Sequence, residues 1–502
     1  MVYSDPCAVG YSDKRSSARP EHDAIVYTEG SQVIAENSNG RTVLAGAIDS
    51  EDPGSGAESA VMQAAIASKA MPTVYISPGI YRLQNKIIPV KDMHLLGGGL
   101  GNTILSPATG YTDAVLIDAT ERFSMSHLKF DGRYPESFAV GGAYIHPMDA
   151  LPADLRWQIR FCQFYNMGTS SLFLDQTDEI FVQNCEFVSN RAVSSVPARC
   201  ADNADVISVA AVYLHFIENM MASDCCVTNG IGLDLMPCGN SWVTGNNFEG
   251  YGYGVSGICE NPSHMSINNN QFCKLSNSGM YLWNSYVVQI CHNKFYWITN
   301  YGIKLYNDHN FLIDSNQFVN SNAQKYMKYA FYVDSLCDYL HVTNNIVSNM
   351  VSGTATLLDA AGWGAHSIVA NNDGYIARGE LRRYAGAIGT LTENAFNSVD
   401  NPFGQSVALL SLDIYVSTGA TATSPNIDCG IGSSATADYT NLFDDLPGET
   451  IGIYNSKIAT PGAQNQPILW QTGAGNRYLN MSIKDAAATG MVATYVATVM
   501  GL

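Results

Sequence analysis

Asn269-Asn270-Gln271-Phe272, His292-Asn293-Lys294-Phe295 and Ser315-Asn316-Gln317-Phe318 are three copies of one pattern, Asn-x-Phe, whose phenylalanines recur at an even interval (295−272 = 318−295 = 23). Gly245-Asn246-Asn247-Phe248 extends the series backwards at nearly the same interval (272−248 = 24), and Asn344-Asn345-Ile346-Val347 extends it forwards at a longer one (347−318 = 29). A recurrence this short, rich in β-branched and aromatic residues, predicts a solenoid whose stacked coils share a continuous core. Equivalent positions of successive coils then line up, so columns of side chains can be read from the sequence.

One such column lies two residues before each ring. It reads Asn246, Asn270, Asn293, Asn316 and Asn345, and upstream it continues as Cys162 (before Phe164), Cys185 (before Phe187) and Cys225 (before Val227). An asparagine at a tight turn inside a coil can bond the backbone and the asparagine of the next coil, satisfying polar groups that water does not reach. The cysteines at the same position are expected to be buried free thiols behaving as small hydrophobes. Twelve cysteines in 502 residues do not make a disulfide scaffold.

The bulk properties exclude several partners. Only 14% of residues are charged, yet the formal net charge is −19, which argues against nucleic acid or an anionic membrane. No apolar run reaches the length of a membrane span, so no membrane insertion is expected. The opening Met1-Val2-Tyr3-Ser4-Asp5-Pro6 shows no secretory signal pattern.

Residues 1–45 have little periodicity and read as an arm or attachment segment. Over Gly56–Ala70, the positions Ala57, Ala60, Val61, Ala64, Ala65 and Ile66 recur at helical spacing, predicting a short helix that covers the open end of the first coil. Strand Thr73-Val74-Tyr75-Ile76, the turn Pro78-Gly79 and Gly97-Gly98-Gly99-Leu100-Gly101 follow. That glycine run lacks the Lys-Ser/Thr of a phosphate-binding loop and continues as strand. An amphipathic helix, Val-Tyr-Ile-Ser-Pro-Gly-Ile-Tyr, a Gly-rich turn and Asn-Asn-x-Phe coils together resemble the pectate-lyase-like superfamily of right-handed parallel β-helices, which includes polysaccharide lyases, hydrolases and phage tailspikes. The resemblance covers about residues 45–375, and the solenoid domain is placed at 46–377. From about 378 the repeat is lost. Ser406–Val416, Thr450–Tyr454 and Gly490–Val496 read as separate strands, predicting a C-terminal antiparallel β-sandwich of jelly-roll type over 378–502. The expected class is all-β. The resemblance further implies a homotrimer and a place on a virion tail or outside the cell.

Before each ring lies a strand whose alternation separates core from surface. In Gly279-Met280-Tyr281-Leu282-Trp283 and Gly302-Ile303-Lys304-Leu305-Tyr306, the aliphatic residues point inwards and Tyr281, Trp283, Lys304 and Tyr306 outwards. Leu282 and Leu305 stand at the same offset before their rings (295−282 = 318−305 = 13). The same count finds Leu174, Leu214 (from Val227) and Cys259, while Leu233 and Val333 join by pattern at slightly larger offsets (248−233 = 15 and 347−333 = 14). The next residue of each strand gives one outward column: Asp175, His215, Asp234, Glu260, Trp283, Tyr306 and Asp334. A flanking column two residues earlier holds Phe173, Tyr213, Gly232, Tyr281, Lys304 and Tyr332, with Ile258 at the coil of Cys259, where the count could slip by one residue. Carboxylates, an imidazole and a run of aromatics are unusual on a solvent-facing stripe, and they predict a groove.

Aromatic faces stack on the C–H faces of sugar rings, so Trp283, Tyr306, Tyr281, Lys304, Tyr332, Tyr213 and Asp334 are expected to bind a polysaccharide along the axis. Glycosidic hydrolysis needs a protonated carboxyl and an ionised one. With coils about 4.8 Å apart, Asp234 and Glu260 would approach the roughly 5 Å spacing of retaining enzymes. Asp175 and Asp234, two coils or about 9.6 Å apart, would approach the inverting spacing. Asp234 belongs to both pairs, and His215 between Asp175 and Asp234 would help to separate their pKa values. No cofactor is required, although stacked acids also suit calcium. The function expected is hydrolytic depolymerisation of a surface polysaccharide. Elimination by a polysaccharide lyase, with Lys304, Tyr306 or Tyr281 as base, and glycan adhesion without cleavage are the alternatives.

Overall fold

The computed structural model describes residues from 24 to 501. Outside the description lie 1–23, 46–72, 134–139, 147–155, 190–206, 224–230, 260–263, 320–326, 349–356, 359–365, 373–380, 389–395, 458–467, 484–490 and shorter stretches. The chain divides into two compact units, the first built chiefly of Met1–Met327 and the second chiefly of Ile368–Leu502.

The first unit is a parallel solenoid. Each coil gives three short strands separated by sharp turns: Ser278–Trp283, Tyr286–Cys291 and Lys294–Tyr296 make one coil, and Tyr301–Tyr306, His309–Asp314 and Gln317–Val319 the next. Partners in adjacent coils keep one separation in all three sheets, as in Tyr281 with Lys304, Gln289 with Leu312 and Phe295 with Phe318 (304−281 = 312−289 = 318−295 = 23). The repeat length in the sequence is therefore the contour length of one coil. Two long strands, Leu172–Gln183 and Ile207–Ile217, run without a break through both the first and the second sheet.

The expected interior columns are present. Phe248, Phe272, Phe295 and Phe318 stack with ring centroids 5.0, 4.8 and 4.6 Å apart. Such pairs are worth roughly 0.5–1.5 kcal/mol beyond their burial. Glycine makes room for them at the start of the first-sheet strands: a Cβ on Gly279 would lie 2.5 Å from Phe295 Cδ1 and 2.6 Å from the Gly302 carbonyl oxygen.

At the turn from the second to the third sheet, Asn246, Asn270 and Asn293 each receive, on the side-chain oxygen, the backbone and side-chain N–H groups of the preceding ladder residue, at 2.8–3.1 Å. Their own Nδ2 groups donate to the carbonyls of Phe216, Val243 and Ile267. The residue before each ladder position adopts a left-handed conformation, as at Asn269 (φ 57°), which Asn and Gly tolerate best. Cys162 and Cys185 occupy this column as buried free thiols. The third cysteine of the series needs correction: the ladder residue after Cys185 is Asn219, whose Oδ1 accepts the Cys185 amide at 2.9 Å. Cys225 lies outside the described residues. The ring of that coil is replaced by Met221, in register with Phe187 and Phe248, and Phe216 bridges the gap 6.4 Å from each of them.

Residues expected as an arm contain three antiparallel strands, Ala24–Glu29, Gln32–Asn37 and Gly40–Ala45, the first of which pairs in parallel with Thr73–Ile76. Ile25, Tyr27, Ile34 and Tyr75 form a small core there. No helix occurs among the described residues, and the helix expected over 56–70 lies outside them. In the glycine run, the Gly98 amide donates to Thr103 Oγ1, which bonds back to the carbonyl of Ile76, so its polarity is satisfied internally.

The second unit holds two antiparallel sheets. One orders Leu381–Ile388, Val492–Gly501, Val407–Thr418 and Gly452–Asn455, with Ile468–Trp470 also on Val407–Thr418; the other orders Phe396–Asp400, Tyr478–Ile483, Asn426–Gly432 and Phe443–Pro447. Residues from both, including Leu412, Ile431, Trp470, Met481 and Tyr495, form a single buried cluster.

Candidate functional site

The outward residues of the first sheet follow from its register. One column reads Asp118, Tyr144, Phe173, Ser208, Asp234, Ser256, Tyr281 and Lys304. Two residues further along their strands come Asp175 and the registered pair Trp283 and Tyr306. Asp234 is thus level with Tyr281 and Lys304 and not with Trp283. From Asp175 it is offset by two coils and two residues, about 12 Å between backbones, wider than hydrolytic pairs require. The expected single column Asp175, His215, Asp234 does not exist. His215 pairs with Phe181 and Trp242, and Tyr213 with Glu179 and Asn240, all on the second sheet. His215 stacks there between Phe181 and Trp242, at 4.2 and 4.6 Å. Glu260 lies outside the described residues.

The displacements have two causes. Counting thirteen from Val227 starts at the wrong residue, because Met221 holds the ring position of that coil, and the slip of six residues moves Leu214 and His215 into the next sheet. At Phe248 the count of thirteen leads to Leu235, which does pair with Val209 and Gly257 beneath the Leu282 column; the pattern-based choice of Leu233 displaced Asp234 by two.

The C-terminal part of the face is aromatic. Tyr281 lies 5.1 Å from Trp283 and 5.9 Å from Tyr253, and Tyr301 lies 5.3 Å from Tyr332. Lys304 projects between them, its Nζ 4.3 Å from the Tyr281 ring centre and 5.7 Å from that of Tyr332. Burial lowers the Lys304 pKa. Burial, with the neighbouring Tyr306, Asp308 and Tyr332, raises that of Tyr281, which stays a phenol at neutral pH. Asp334 accepts the amides of Asn307 (3.4 Å) and Leu336 (2.7 Å), so it shapes the turn beneath the stripe. Beside it, Asp308 is buried and accepts the amides of Ser285 and Tyr306, each at 2.8 Å. Burial pushes its carboxyl up to about 7 despite those two bonds.

The N-terminal part of the same face is charged. Asp118 pairs with Lys86 and accepts His146 Nε2 at 2.6 Å. The His146 ring stacks on Tyr144 at 3.9 Å, and the Tyr144 hydroxyl reaches Asp175 Oδ2 at 3.5 Å. Burial works against the Asp118 carboxylate, but Lys86 and His146 outweigh it and hold its pKa below the usual range. Burial and the charges of Asp175 and Asp118 raise that of Tyr144, leaving it a proton donor. Of this cluster, the sequence reading found only Asp175. Counting thirteen back from Phe130 leads to Ile117 and so to Asp118, a signal that was available.

Sheet order, register and the ladder at each turn agree with the comparison of the sequence to family models. Residues 200–347 match the right handed beta helix region. The fold of the first unit is a right-handed parallel β-helix. No curated protein matches the chain. Among solved structures, the A-module of a mannuronan C-5 epimerase from Azotobacter vinelandii is 14% identical over 62% of this chain and 96% of its own, with a TM-score of 0.37. The Dettilon tailspike protein is 9% identical over 95% and 94%, at 0.43. A surface adhesin of Streptococcus pneumoniae is 11% identical over 58% and 74%, at 0.35. Likenesses at this level carry no chemistry across, and the β-helix must be read from its own residues.

Proposed function

We propose that the β-helix binds a polysaccharide along its first sheet and depolymerises it by hydrolysis. The observation that carries the binding is the stripe of Tyr253, Tyr281, Trp283, Tyr301 and Tyr332 around Lys304, a run of neighbouring rings from successive coils, tilted to one another by 32–55°. Sugars stack on such faces, and a long polymer would run from there past Asp234 towards Asp175 and Tyr144. For cleavage this reading depends on Asp175 and Asp234, whose backbone separation of about 12 Å requires the two side chains to turn towards each other to reach the roughly 6.5–9.5 Å of an inverting pair.

A second reading, elimination at a uronate, is favoured by one specific arrangement: Tyr144 held against His146, with Lys86 beside Asp118. Tyrosine and histidine can exchange the proton next to a carboxylate, and lysine can offset the charge that develops.

A screen of surface polysaccharides with two readouts tests both. New reducing ends without the ultraviolet absorbance of an unsaturated sugar support hydrolysis, and that absorbance supports elimination. Binding without either leaves an adhesin. If Asp175→Asn and Asp234→Asn both cleave at the wild-type rate, the hydrolytic assignment is wrong.

A further inference from the structure

The two halves of the first sheet differ in charge. Asp175 and Asp234 lie on its N-terminal half, where Asp118 is already paired with Lys86 and His146, whereas among the described residues the C-terminal half presents one ammonium, that of Lys304, among tyrosine rings. Among the described residues no carboxylate pairs with Lys304 Nζ. Two acids of the adjoining turns are occupied elsewhere, Asp308 by the amides of Ser285 and Tyr306 and Asp334 by those of Asn307 and Leu336. A half-buried ammonium gains when an anion is brought to it, because its water shell has already been thinned. In a chain of net charge −19, it is, among the described residues, an ammonium on this face that no carboxylate partner holds, so a negative group on a ligand finds attraction there.

The same map limits how many such groups a ligand can carry. Lys304 and Asp234 share a column three coils apart, about 14 Å, and Asp175 lies beyond. A polymer charged at every unit would set its carboxylates against those acids.

Resting on the polysaccharide reading above, we propose that the ligand is a heteropolymer with anionic sugars spaced among neutral ones. An anionic unit is seated on Lys304 between Tyr281 and Tyr332, and neutral units cross the Asp234–Asp175 end. The recognised group is a single negative charge, from a carboxylate or a phosphodiester.

The full chain is tested on a glycan array spanning neutral, alternating-acid, homouronate and phosphodiester-linked polymers, followed by affinities for the bound polymers and their carboxyl-reduced counterparts. Spaced-anion polymers are expected to bind at least about tenfold tighter than their neutral or carboxyl-reduced counterparts and than homouronates. Lys304→Gln is expected to erase the preference over the neutral form, and Lys304→Arg to keep it. Loss of affinity on carboxyl reduction identifies a carboxylate, and binding confined to the phosphodiester class identifies phosphate. Equal binding of charged and neutral forms, or a preference that survives Lys304→Gln, overturns the inference and leaves the polysaccharide reading standing. If no glycan of any class binds, both fall.

Discussion

Replacing Asn293 by alanine would remove the centre of the asparagine ladder. Asn293 is fully buried. Its Nδ2 donates to the Ile267 carbonyl at 2.8 Å and to Asn316 Oδ1 at 3.0 Å, and its Oδ1 accepts the Asn270 backbone amide at 2.9 Å and Asn270 Nδ2 at 3.0 Å. Truncation leaves at least the Asn270 N–H and the Ile267 carbonyl without this partner in the coil interior. A buried polar group left unsatisfied costs about 1–3 kcal/mol, so two cost about 2–6 kcal/mol. Solenoids unfold in parts, which makes a global midpoint a poor measure. Hydrogen exchange followed by mass spectrometry over the segment 265–273 reads the damage locally. At about 3 kcal/mol, protection of that segment should fall roughly a hundredfold. Asn293→Cys should fall between wild type and alanine, because cysteine already occupies the column at Cys185, where its thiol donates to the Ile159 carbonyl. If alanine changes protection by less than about threefold, or about 0.6 kcal/mol, the ladder does not hold the coils together as argued.

Three further outcomes are expected. Gly279→Ala places a methyl 2.5 Å from Phe295 and 2.6 Å from the Gly302 carbonyl oxygen, and it should cost about 1–3 kcal/mol in urea unfolding monitored over the solenoid. Because burial raises the folded-state pKa of Asp308 to about 7, above its unfolded value, the protonated carboxyl is the form the fold favours. Its contribution is therefore full below about pH 4 and is lost as pH rises through about 7, so the wild-type melting temperature should fall relative to Asp308→Asn across that window; a constant difference would contradict this. Burial raises the pKa of the Cys162 thiol well above its usual value, and Cys185 is equally enclosed, so both should resist a maleimide until denaturant is added, as mapped by mass spectrometry.

Legibility along the chain followed the evenness of the coils. From Phe248 to Phe318 the spacing is 23 or 24, and there the ring ladder, the asparagine ladder and the outward Tyr281, Trp283, Lys304 and Tyr306 were all readable. Between Phe187 and Phe248 a coil carries Met221 in place of a ring and long segments between its strands. There the count slipped, taking His215 and Tyr213 to the wrong sheet. The charged cluster was missed because its members come from irregular early coils: Lys86 reaches Asp118 across 32 residues and His146 reaches it across 28.

By itself the sequence determined the solenoid, its coil length and its interior columns, since each depends on contacts repeated at one fixed separation. Only the tertiary structure decided which outward residues share a sheet. Strand register depends on the length of every intervening turn, and a shift of two residues along a strand moves a carboxylate by about 7 Å. That distance is small against the fold and large against the reach of acid–base chemistry, so the architecture was evident where the site was not.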